Sequence, residues 1–213
     1  MENSYASWVS KMSDALPTAQ GSAAAAPIAG DADALQLSPT TISALYQDLP
    51  RADSMAAALR ILEVVRQSVL GDGLLTVTGI MNTPAALAES GQVDLQRLWS
   101  SNPAEYPVAG RKRKTLTAWT RQLVQRGEVF VGEGDAALTT AFDDHARIVG
   151  LGLHAVINVP LLAEGHCVAM FNVLGTRSQW QPREVLLARL LANLSKPWVL
   201  TEVAGMEQKV IAK

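Results

Sequence analysis

The sequence predicts an α+β fold, an antiparallel sheet flanked by helices. Three observations carry this expectation. Apolar residues recur at helical spacing through residues 38–70 and again after Pro182. Between those stretches lie short apolar or alternating runs of strand length. Two of them, His154 to Leu162 and Cys167 to Leu174, are separated by Ala163-Glu164-Gly165-His166, the spacing of a β-hairpin with a glycine-containing loop. Strands joined by hairpins and flanked by helices pack as an antiparallel sheet under a helical layer.

Taken in order, residues 1–37 read as a flexible N-terminal extension. Trp8, Val9, Met12 and Leu16 give a weak helical spacing suited to a docking helix or a frayed tail. The Ala/Gly/Ser-rich stretch from Pro17 to Asp33 buries too little apolar surface to offset its ordering entropy. The domain is expected over 38–205, with a short tail at 206–213. Ser38-Pro39 is an N-cap followed by proline at the first helical position, and Ile42, Leu45, Tyr46 and Leu49 supply an apolar face before Pro50. Ser54 or Asp53 caps a second helix with Leu59, Leu62, Val65 and Val69, ended by Gly71-Asp72-Gly73.

Leu74 to Met81 reads as a strand, as does Val93 to Ser100, where Val93, Leu95, Arg97 and Trp99 alternate. Ser101 to Lys114 holds two prolines, a glycine and four successive cations, so it is expected as loop. Thr115 is expected to cap a helix with Leu116, Trp119 and Leu123 on one face. Glu128 to Val131 reads as a short strand. Asp135 is expected to cap a helix striped by Leu138, Phe142, His145 and Val149. After the hairpin, Pro182 opens a helix with Val185, Leu186, Leu190 and Leu194, which Pro197 ends or kinks.

The bulk numbers exclude several classes of function. A net charge of −2 argues against a nucleic-acid partner, because such proteins present a basic face and a high pI. The single cysteine, Cys167, precludes an intramolecular disulfide and a multi-thiolate metal site, and fits a reducing compartment. No charged segment followed by an apolar one opens the chain, and no apolar run approaches the roughly 18–20 residues that span a bilayer. The expectation is a cytoplasmic protein with no membrane partner. There is no P-loop, no His/Glu spacing for a catalytic zinc and no Ser-His-Asp order, so no metal and no cofactor is expected.

The segments His154-Ala-Val-Ile-Asn-Val-Pro160, Gly165-His-Cys-Val-Ala-Met-Phe-Asn-Val-Leu174 and Trp180-Gln-Pro-Arg-Glu-Val-Leu-Leu-Ala-Arg-Leu-Leu191 resemble the end of a GAF domain. In that family a strand closes on an Asn/Asp-Val-Pro step. A hairpin follows, and an aromatic-bearing loop leads into the terminal helix. Ala169 stands where the family's second strand has a glycine. The resemblance covers about residues 51–200. The stretches Arg97–Gly110 and Phe142–His145 resemble a subgroup of free-standing bacterial GAF proteins, a resemblance that carries no activity with it. A bacterial sensor is expected, with output through a partner or through a homodimer formed by its helices. The resemblance further implies a ligand held between the sheet and a wall of loops and short helices, here 101–145. Family ligands include cyclic nucleotides, tetrapyrroles and small aromatic or organic acids. GAF-type methionine sulfoxide reductases need at least two thiols, which this chain lacks.

Several residues in that wall are candidates for ligand binding. Arg111 and Arg113, favoured over Lys112 and Lys114, would bind a carboxylate or phosphate bidentately, or else the run is a solvated loop. Trp99, Tyr106 on the loop, and Trp119 would line an aromatic pocket, with core packing the leading alternative for the two tryptophans. Asp143 would contact ligand or cap a turn. Asn158 and Asn172, on neighbouring strands, each carry an amide that must be paired if buried. For catalysis, His145 with Asp144 or Glu133 would supply metal-independent acid–base chemistry on a small polar substrate, against a histidine bonded to backbone. Cys167 alternates with Ala169, Phe171 and Val173, an apolar setting. Three functions stand: a module binding a small anionic or aromatic metabolite, an enzyme built on His145, and a scaffold with a vestigial pocket.

Overall fold

The computed structural model describes residues 35–211; the expected docking helix at 4–16 and linker at 17–33 lie outside the described residues. Helix α1 (Pro39–Ser43) is capped by Ser38, whose hydroxyl accepts from the Thr41 amide at 3.1 Å. It runs on through a wide turn over Ala44–Asp48 and a tight one over Leu49–Arg51. Leu49 is buried, but Ile42 and Tyr46 of the expected apolar face are exposed. Helix α2 (Met55–Leu70) is capped by Ser54 and buries Leu59, Leu62 and Val65. Its Arg66 is buried as well. The guanidinium pairs with Glu63 at 2.6 and 2.9 Å and donates to the Gly71 carbonyl at 3.0 Å, which ties off the helix end.

Strand β1 (Gly73–Ile80) follows. Helix α3 (Pro84–Ser90) comes next, in a stretch to which the sequence reading assigns no element. Its signals are a Thr83 cap, proline at the first helical position and Gly91 in the left-handed conformation at φ 61°. Strand β2 (Gln92–Ser100) precedes β3 (Arg111–Thr115). The latter corrects the expectation of loop through Lys114. A run of cations is a poor interior strand but suits a sheet edge, where charge discourages further pairing. Opposite charges also meet across the β2–β3 pair, Asp94 against Arg113.

Helix α4 (Ala118–Thr120) continues as a wide turn over Arg121–Gln125. Its cap is Thr117 rather than Thr115, because β3 holds Thr115 in the sheet. Strand β4 (Phe130–Glu133) starts two residues later than expected. Helices α5 (Gly134–Ala141) and α6 (His145–Gly150) replace the single expected helix. The chain is extended at Phe142, whose ring sits edge-on against Trp119 at 5.3 Å. Asp135 does not cap α5; its carboxylate meets the His154 ring at 2.7 Å.

Strands β5 (Ala155–Ala163) and β6 (His166–Gly175) form the hairpin. Glu164 and Gly165, at φ 49° and 81°, make its two-residue turn with both central residues left-handed, which matches the strand twist. Helix α7 (Pro182–Ile211) continues past Pro197 to Ile211, so the proline does not end it. At its start the Glu184 carboxylate reaches back to the Gln181 amide at 2.8 Å. Leu187 and Leu191 face the core, while Leu186 and Leu190, expected there, are exposed.

The strands form one antiparallel sheet in the order β3-β2-β1-β6-β5-β4. One face packs on α2 and α7 through Leu75, Val77, Ile157, Val159, Ala169, Phe171 and Val173. Two irregularities decide what the other face carries. Between Val77 and Thr78 the register skips Leu98, so Trp99 turns to the helical side while Arg97 stays opposite Thr78. Between Leu161 and Leu162 it skips Val168, so Cys167 leaves the Ala169–Phe171 face and joins Met170, Val93 and Trp119. Among the described residues, no helix is long and apolar enough to cross a membrane.

Candidate functional site

On the face away from α2 and α7, three central strands bring polar residues into one row. Asn158 of β5 lies opposite Asn172 of β6, and Asn172 lies opposite Thr76 of β1. Their hydrogen bonds run in one direction. The Trp119 indole N–H donates to Asn158 Oδ1 at 2.9 Å. Asn158 Nδ2 donates to Asn172 Oδ1 at 2.7 Å, and Asn172 Nδ2 donates to the hydroxyls of Thr76 and Thr78, both at 3.2 Å. Each amide is thereby paired, as burial demands, and the two hydroxyls keep their own protons to donate.

Above this row lies a cavity of about 150 Å³ between two apolar clusters. One cluster holds Trp119, Leu95, Met170 and Phe142; the other holds Tyr106, Ile148, Val156 and Leu174. The side wall is β3. There Lys112 bonds the Asp144 carboxylate at 2.7 Å. Lys114, only 10% exposed, stands over the rings of Trp119 and Phe142 at 5.1 and 5.7 Å and reaches Asp143 at 3.3 Å. The break at Phe142 is what carries both aspartates to β3. Burial pushes the Asp144 carboxyl up, but the Lys112 bond and charge, helped by Lys114, outweigh it and leave it below the usual carboxylate range.

The far end is built by the loop 101–110, which folds back on β2 through the Ala109 amide to Arg97 carbonyl bond at 2.9 Å and the Arg97 amide to Gly110 carbonyl bond at 3.0 Å. This return buries Tyr106 to 6% exposure. The Arg97 guanidinium lies 4.7 Å from the Tyr106 ring centroid and that of Arg147 5.5 Å from it. Arg97 Nη1 donates to the Pro107 carbonyl at 3.1 Å, whereas Arg97 Nε and the Tyr106 hydroxyl are buried with no hydrogen-bond partner among the described residues. Burial, with the Asp144 charge adding to it, pushes the Tyr106 hydroxyl up to about 12, so it is a neutral donor throughout the physiological range.

The structure gathers some sequence candidates and separates others. Tyr106, Trp119, Asn158 and Asp144 line the cavity, with Arg111 at its rim bonded to Gln96. Arg113 does not line it, being held by Asp94 at 2.6 and 2.9 Å. Asp143 is 85% exposed. His145 turns its Nδ1 to the Phe142 carbonyl at 3.1 Å, and Glu133 accepts from the Trp180 amide at 2.9 Å; neither lines the cavity. His145, Asp144 and Glu133 therefore do not form one group. Arg97, Thr76 and Thr78 escaped the sequence reading. The signal for the threonines was polar residues at every second position of a strand otherwise apolar, and that for Arg97 was a charge on the face it shares with Val93 and Leu95. Among the described residues no group of three or more His, Cys, Asp or Glu gathers to hold a metal.

The chain belongs to the GAF-domain family, whose model matches residues 51–195. Among solved structures it is similar to the GAF domain of a phosphoenolpyruvate-protein phosphotransferase from Coxiella burnetii, at TM-score 0.57 and 15% identity, covering 79% of this chain and 95% of that one. It is also similar to the nlh2 GAF domain of A. aeolicus in an inactive state, at TM-score 0.54 and 16% identity over 76% and 96% of the two chains. A third likeness is to the chromophore-binding domain of the bacteriophytochrome RpBphP3 from R. palustris, at TM-score 0.53 and 12% identity over 79% and 61%. At these identities the likeness shows the fold. No curated protein matches the sequence.

Proposed function

We propose that this GAF domain binds a small metabolite that is both anionic and flat. The observation that carries the reading is the composition of the cavity. Arg97, Arg111, Lys112 and Lys114 line it against one carboxylate, Asp144, and the remaining walls are apolar and aromatic. A site of excess positive charge with apolar walls favours a carboxylate on an apolar body. A cavity of about 150 Å³ accommodates a benzene-sized body. It lies well below the roughly 300–1,000 Å³ typical of pockets for drug-sized molecules. Size therefore argues against nucleotides and tetrapyrroles in this conformation, and in favour of a small aromatic or organic acid.

The test is thermal denaturation and calorimetry with a panel of small planar carboxylates, each beside its neutral amide. A ligand that binds only the folded state adds about 2.7 kcal/mol at a concentration 100-fold above its Kd. The acids are expected to raise Tm and the amides to leave it alone. A panel in which no acid shifts Tm, or in which amides match their acids, refutes the reading.

A further inference from the structure

The proposed anion site raises the question of which cation reads the carboxylate, and the ion pairs answer it. Among the described residues Lys112, Lys114, Arg113 and Arg147 each have an acidic partner: Asp144, Asp143, Asp94 and Glu105. Arg111 is exposed and bonded to the Gln96 amide. Arg97 lines the cavity half-buried, and among the described residues it makes no ion pair and its buried Nε has no hydrogen-bond partner. Beside it, the Tyr106 hydroxyl is also buried and unbonded.

Two unpaired buried donors in one corner are unusual, because leaving either unsatisfied costs free energy. They differ from the other polar groups of the cavity, since the Trp119–Asn158–Asn172–Thr76 row completes its own bonds. Resting on the functional reading above, we infer that Arg97 and Tyr106 form the recognition pair for the carboxylate of the ligand. The Arg97 guanidinium donates to one oxygen and the Tyr106 hydroxyl to the other, each turning from its buried position toward the cavity as the ligand enters. The aromatic body then lies over the Asn158–Asn172 row toward Trp119. The Thr76 and Thr78 hydroxyls, which accept from Asn172, offer their protons to a polar substituent on that body.

Benzoate, with benzamide as its neutral counterpart, is the probe, titrated into the full-length chain and into Tyr106→Phe and Arg97→Gln. Tyr106→Phe should act with opposite signs on stability and binding. Without ligand, removing a hydroxyl that has no protein partner leaves Tm unchanged or higher. With benzoate, losing one hydrogen bond to a charged group weakens binding by about 10–100-fold. Arg97→Gln should weaken benzoate at least as much, with benzamide leaving the Tm of wild type and variant alike unchanged. Tyrosine labelled with 13C at Cζ supplies a direct readout: the Tyr106 signal, identified by its loss in Tyr106→Phe, should move on adding benzoate but not benzamide. Benzoate binding that stays within twofold in both variants, or a Tyr106 signal that does not move, overturns the assignment while the functional reading stands. Wild-type protein that ignores benzoate at millimolar concentration overturns the assignment, and the functional reading falls with it only when every acid of the panel fails as well.

Discussion

Asn158→Ala tests whether the polar row holds the cavity together. The change removes two buried hydrogen bonds, the 2.9 Å bond from the Trp119 indole and the 2.7 Å bond to Asn172 Oδ1. Each such bond contributes about 0.5–1.5 kcal/mol net, and a buried partner left unsatisfied costs about 1–3 kcal/mol. The row borders a cavity, so water entering it will meet part of that cost. The expected destabilisation is therefore about 2–4 kcal/mol. Equilibrium urea denaturation followed by circular dichroism measures it, with an unchanged m-value showing that the folded state remains compact. Trp119→Phe removes the indole N–H while keeping an aromatic ring in place. The double variant Trp119→Phe/Asn158→Ala should be about 1 kcal/mol more stable than the sum of the single changes predicts, because the shared bond is lost only once. A loss below about 0.5 kcal/mol for Asn158→Ala, or strictly additive single changes, would refute the claim that these bonds matter.

Cys167 is buried and, mainly through burial, its thiol is pushed up to about 12; an aromatic disulfide reagent at pH 8 should leave it unmodified in native protein and titrate one thiol in denaturant. The Asp144 carboxyl is held low when folded, so its contribution is full above its unfolded pKa and disappears as pH falls through the lower folded value. Acid titration of Tm should accordingly fall more steeply for wild type than for Asp144→Asn, and parallel curves would contradict the Lys112–Asp144 pairing. Leu187 is fully buried between α7 and the sheet, so Leu187→Ala should cost about 2–5 kcal/mol by urea denaturation.

The candidate site was only partly legible in the sequence. Tyr106 stood out because a tyrosine on a Pro/Gly loop has no periodic reason to be there, and it proved to be buried over Arg97. Asn158 and Asn172 stood out as amides in apolar strands, and they pair with each other. The basic run was legible as charge but not as geometry. Edge-strand alternation turns Lys112 and Lys114 toward Asp144 and Asp143 and leaves Arg113 with Asp94. Arg97 reads only as a member of the alternating set Val93, Leu95, Arg97 and Trp99, and not as a site residue. Only the returning loop makes it a wall of the cavity.

What the sequence determined alone was the order and type of most elements: two leading helices, the β5–β6 hairpin, the terminal helix and hence an antiparallel α+β fold. Those signals are local, because caps, turn residues and periodicities act over three or four neighbours. Tertiary structure decided the direction of particular side chains. Skipping Leu98 sends Trp99 to the helical core, and skipping Val168 sends Cys167 to the cavity side. It also decided the polar row, whose bonds join residues 39 and 96 positions apart. No local pattern encodes such contacts, since a one-residue change of register reverses the face of everything that follows.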